Sequence, residues 1–152
     1  MRNKIHTIQE MELVYLPKRI IPEIPKTTNS FTSFKILQQL FNPNTIRCQE
    51  EFIVLYLNSN NRIIGSQQLS KGGIASTVVD IRLILGTALK SLASGIILSH
   101  NHPSGNRSPS ENDKVITVKI QKACKLLDIN LLDHIIITPD DGYFSFADDG
   151  LL

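Results

Sequence analysis

His100 and His102 stand two residues apart at the end of an apolar run, Gly95 to Ser99, and Asp113 follows eleven residues after the second histidine. Alternate side chains of a strand share a face, so both imidazoles can point to one spot. Pro103 then ends the ladder, and a loop rich in Pro, Ser, Gly and Asn runs to Pro109. A helix beginning near Ser110 returns Asp113 within its first turn. Two neutral imidazoles and one carboxylate make a three-ligand set for Zn²⁺, with a fourth position left for water. Such an ion lowers the pKa of its water to about 7, and a separate base is needed to take the proton.

Each of these residues has a plainer reading. Ser110-Glu111-Asn112-Asp113 also fits a capping box, with Ser110 as N-cap and Asp113 at the third helical position. A single histidine at a strand end is ordinarily satisfied by hydrogen bonds, and a bare HxH is a weak signal. The spaced set of two histidines, a turn and a returning carboxylate is a strong one. His6 and His134 read as structural. His134 follows Asp133 just before an apolar strand, where a satisfied hydrogen bond is expected and not ligation.

The elements that must position this set alternate between strand and helix. Glu51 to Leu57 (EFIVLYL) reads as a buried strand, Asn58 to Asn61 as a turn, and Arg62 to Leu69 as the returning strand. Lys71-Gly72-Gly73 breaks the pattern. Asp80 to Leu92 has the stripe of an amphipathic helix, at 81, 84, 85, 88 and 92. A second helix is expected from about Ser110 to Leu127, striped at Ile116, Ile120, Ala123 and Leu127. Strands follow over Ile129 to Thr138 and Tyr143 to Phe146, either side of the Asp140-Asp141-Gly142 turn. Hairpins interrupt the alternation, which favours a mixed sheet flanked by helices over a doubly wound parallel one.

Ahead of this region, Ile5 to Leu16 could form a strand, followed by Pro17, Pro22 and Pro25. Residues 1–28 therefore read as an extended N-terminal arm, too apolar to float free and able to pair with a neighbouring copy, and residues 29–152 as the domain. Asn29-Ser30 offers an N-cap for a helix through about Phe41, with Phe34, Leu37 and Phe41 on one face.

Bulk properties bound the function. A chain of 152 residues, 41% of them hydrophobic, can build one core without disulfides. Cys48 and Cys124 form no CxxC pair, a usage that suits a reducing cytoplasm. No apolar run approaches the roughly 20 residues that cross a bilayer, and Glu10 and Glu12 interrupt any signal-peptide core. A net charge of +2 with sparse aromatics argues against direct nucleic-acid binding. Lys114, Lys119, Lys122 and Lys125 read as the solvated face of a helix.

The residues also resemble a known family. His100-x-His102-Pro103, Ser110 eight residues after the second histidine and Asp113 eleven after it match the JAMM motif of MPN (JAB) domain zinc metalloproteases. The longer stretches EEFIVLYLNSNNRII, KGG, SHNHPSGNRSPSEND and LLDHIIITPDDGYFSFADDG are similar to bacterial RadC-like proteins. This resemblance implies an α/β domain of MPN type, a curved mixed sheet flanked by helices, holding Zn²⁺ on His100, His102 and Asp113. It implies Glu51, at the start of its strand, as general base, with Glu50 facing the opposite side if strand geometry already holds there. It implies Ser110 as a donor to the oxyanion of the intermediate. Two departures from the resemblance are expected: no helix-hairpin-helix region ahead of the domain, and Asp80-Ile81 in place of His-Pro at a helix entrance. The implied activity is hydrolysis of a peptide or isopeptide amide in a protein substrate. The rival is a non-catalytic module, associated with DNA repair or binding a protein partner, that keeps its metal site. The intact ligand set favours the enzyme.

Overall fold

The computed structural model describes residues 25–71 and 79–152. The strand expected over 5–16 and the Gly72-Gly73 step lie outside the described residues. Among the described residues eight elements follow in order: α1 (Ser30–Gln38), β1 (Glu51–Leu57), β2 (Ile63–Lys71), α2 (Ile81–Lys90), β3 (Gly95–Asn101), α3 (Glu111–Leu126), β4 (Asn130–Ile137) and β5 (Tyr143–Ser145). The five strands form one open sheet in the order β2-β1-β3-β4-β5. Among the described strands only β3 and β4 run parallel, joined by α3 as the crossover, and the other neighbours are antiparallel. This is the mixed α/β sheet expected.

Every residue of β1 and β3 is buried, because helices cover both faces of the sheet. On one face Phe52, Val54, Tyr56, Ile96 and Leu98 pack against Ile84 and Ala88 of α2 and Ile120 and Cys124 of α3. On the other, Ile53, Leu55, Leu57, Ile97, Ile135 and Ile137 meet Phe34 and Leu37 of α1, with Phe41 beyond its end. The continuous apolar runs of β1 and β3 thus divide by strict alternation between two cores.

The helix ends follow their capping chemistry. Asn29 caps α1 as half of a capping box with Thr32, Asp80 caps α2 through the Arg82 N–H, and Ser110 caps α3 with Asp113 as its partner. The last residues before α1 run beside the β1–β2 turn, with the Thr27 N–H on the Asn61 carbonyl (3.0 Å) and the Ile63 N–H on that of Pro25 (2.9 Å). Cys48 is exposed, Cys124 is buried, and both are free thiols. Among the described residues no helix is long and apolar enough to cross a membrane.

Candidate metal centre

Strand β3 extends two residues beyond its apolar run, so that His100 ends up inside the sheet and 4% exposed. Asn101 explains the extension. Its side-chain amide donates to the carbonyls of Ile46 and Gln49 (2.8 Å each), and its Oδ1 accepts the Glu51 N–H at 2.7 Å. A polar residue that resembles a loop start is therefore fully satisfied within the strand. His102 continues alongside β4 through its N–H on the Ile137 carbonyl (2.9 Å). Both histidines lie at the carboxyl ends of the two parallel strands, beside the N-terminus of α3, where open α/β sheets commonly leave a crevice.

The three expected ligands converge. Nε2 of His100 lies 3.0 Å from Nε2 of His102, and the Asp113 oxygens lie 3.2 Å from the first and 3.5 Å from the second. Ligands at roughly 2.0–2.1 Å from one tetrahedral ion stand about 3.3 Å apart, so this spacing fits Zn²⁺. Among the described residues they form the single group of His, Cys, Asp and Glu side chains able to share an ion.

Each candidate ligand is held from behind. Nδ1 of His102 donates to the Asn106 carbonyl at 2.7 Å, which leaves the neutral ring's lone pair on Nε2, facing the cluster. Gly105, at φ 80, makes the turn that brings that carbonyl back. Oδ2 of Asp113 accepts the Ser110 N–H and hydroxyl, each at 2.7 Å. Nδ1 of His100 meets Nε2 of His134 at 2.8 Å, and Nδ1 of His134 meets the Thr117 hydroxyl at 2.6 Å.

The electrostatics follow from this packing. Burial alone would raise the Asp113 carboxyl, but hydrogen bonds from His100, His102 and Ser110 hold it far below the usual carboxylate range. Burial would lower His102, yet the bond to Asp113, the Asn106 carbonyl and the charges of Asp113 and Glu50 raise it above its ordinary value. His134, wholly buried and beside His100, is pushed well below its ordinary value.

Glu51 is placed elsewhere, a correction to the role implied for it. Strand geometry does hold at this position, and Phe52, the next residue, pairs with His100. Glu51 therefore shares the opposite face, with Ile53 and Asn101. Its carboxylate is 1% exposed and accepts from the Thr45 hydroxyl (2.8 Å) and the Gln68 amide (2.6 Å). Glu50, half-buried one position earlier, is the carboxylate whose charge acts on His102. Ser110 stands beside the cluster as expected, but its one hydroxyl proton is engaged by Asp113. His134 makes the satisfied hydrogen bonds expected of it. Its partner is a candidate ligand, a contact set by the pairing of β3 with β4 and invisible in local sequence.

The model of the RadC-like JAB domain family matches residues 27–151. The chain belongs to this family. Among its relatives, a UPF0758 protein of Flavobacterium johnsoniae is 47% identical over 131 residues, which is 86% of this chain and 56% of the relative. One of Porphyromonas gingivalis is 44% identical over 137 residues, 90% of this chain and 59% of the relative. Another, from Streptococcus pyogenes serotype M49, is 36% identical over 150 residues, 98% of this chain and 66% of the relative. This RadC-like JAB domain thus spans little more than half the length of the first two, and the relatives' names state no activity.

Proposed function

We propose that this RadC-like JAB domain is a zinc-dependent hydrolase of peptide or isopeptide amide bonds. The observation that carries the reading is the convergence of two ring nitrogens and one carboxylate within 3.0–3.5 Å of one another. His100, His102 and Asp113 would hold a zinc ion, which when bound would supply a Lewis acid and bring the pKa of a water to about 7.

The chain's own residues do the rest. The Asn106 carbonyl fixes the His102 ring, and Ser110 fixes the Asp113 carboxylate. Glu50 is the group assigned to proton transfer, taking a proton from the attacking water and passing it to the leaving amine. What supports this assignment is its charge at His102, together with the burial of Glu51 on the far side of the sheet. Ser110 serves here by holding Asp113; the oxyanion role would require its hydroxyl to turn away from that carboxylate.

The test is a panel of peptides and isopeptide-linked fusions offered to zinc-loaded protein, chelator-treated protein and the Glu50→Gln variant. Hydrolysis should disappear on chelation, return with zinc, and fall about 10²–10⁴-fold in Glu50→Gln with zinc still bound. Cleavage that persists in chelator would overturn the reading.

A further inference from the structure

His134 and Thr117 are both completely buried, between β4 and α3, and neither belongs to the ligand cluster. Yet they join two of its members. The Thr117 hydroxyl lies 2.5 Å from the backbone carbonyl of Asp113. A carbonyl can only accept, so the single hydroxyl proton points there. The same oxygen, 2.6 Å from Nδ1 of His134, must then accept from it. His134 therefore carries its proton on Nδ1, and the bare Nε2 of its neutral ring takes the Nδ1–H of His100 at 2.8 Å. This leaves the lone pair of a neutral His100 on Nε2, the nitrogen facing His102 and Asp113. Aromatic walls restrain both rings: Phe52 lies parallel to His100 within 3°, and Phe146 lies within 14° of His134.

We infer that His134 and Thr117 are positioning residues, forming a relay that fixes His100 in its metal-binding tautomer and ties that choice to the α3 backbone at Asp113. The inference rests on the metal reading above and deepens it. A histidine kept only to fill the core would be indifferent to which nitrogen carries the proton. Here every link has one allowed direction, and the chain begins and ends on residues that present ligand atoms.

The experiment uses the full chain and its Thr117→Val, Thr117→Ser and His134→Phe variants. Zinc affinity is read by competition with a chromogenic chelator, folding by thermal melts, and ring protonation by long-range ¹H–¹⁵N NMR. Thr117→Val removes the hydroxyl at nearly constant volume and should weaken zinc binding about 10–100-fold, as loss of a group behind a ligand typically does. Thr117→Ser should restore the affinity, and His134→Phe should lower it. In the unaltered protein His134 should show its proton on Nδ1, a readout that needs no variant to fold. Wild-type zinc affinity in a folded Thr117→Val, or a proton on Nε2 of His134, would overturn the relay while leaving the metal site standing. Absence of zinc binding by the unaltered chain would instead remove the metal reading, and the relay's purpose with it.

Discussion

Ser110 donates both its backbone N–H and its hydroxyl to Oδ2 of Asp113, at 2.7 Å each, while Oδ1 of the same carboxylate lies 3.2 Å from Nε2 of His100. The helix cap and the candidate ligand are one group. The capping box read for Asp113 in the sequence is present, and it leaves the carboxylate aimed at the two imidazoles, so the cap is compatible with the ligand role proposed for it. Ser110→Ala should cost about 1 kcal/mol through the lost N-cap. It should also weaken zinc binding by about tenfold or more. Thermal melts and chelator competition check the two effects separately, and a loss of stability with full zinc affinity would uncouple cap from ligand.

The two neighbouring glutamates should respond differently. Glu51→Gln places amide protons where two donors, Thr45 and Gln68, need an acceptor. It should lower stability by about 1–3 kcal/mol, the usual cost of an unsatisfied buried polar group. Glu50→Gln should cost less stability than Glu51→Gln and reduce turnover. Paired melts and rates on a confirmed substrate decide between them. Full activity in Glu50→Gln alongside inactive but stable Glu51→Gln would reverse the assignment.

That reversal of sides was not legible in the sequence. Strand β1 is bounded as expected, from Glu51 to Leu57, because the apolar run meets Asn58 to Asn61. Alternation told that Glu50 and Glu51 face opposite ways, but the register Phe52 to His100 decides which face holds the site. Register is a long-range property. The same holds for α3, where the buried positions are Thr117, Ile120 and Cys124, while Leu127 of the expected stripe is 39% exposed. A threonine is buried there because His134 and the Asp113 carbonyl satisfy its hydroxyl. The grouping of His100, His102 and Asp113 was legible, since HxH parity and the position of Asp113 in a first helical turn are local facts.

Acidity should separate the metal-free from the loaded protein. The pKa of His102 is raised in the folded, metal-free chain, so its contribution to stability is complete below about 6.5, the unfolded value. That contribution is lost as pH rises through the higher folded value. Asp113 is lowered, so its contribution is present above its unfolded value and is lost only in strong acid. Zinc competes with the His102 proton and binds more tightly as pH rises. The gap in melting midpoint between zinc-saturated and chelator-treated protein should therefore widen from pH 6 to pH 8. A gap that narrows over that range would contradict the assignment of His102.

The proposed site holds one zinc ion per chain on His100, His102 and Asp113. The most direct measurement is zinc content, by mass spectrometry of the elements, for the purified chain dialysed against dilute zinc and for His102→Ala treated alike. About one equivalent is expected in the unaltered chain, with a loss of most of it in the variant, and thermal melts check that the variant is folded. No zinc in the unaltered chain, or equal zinc in both, would contradict it.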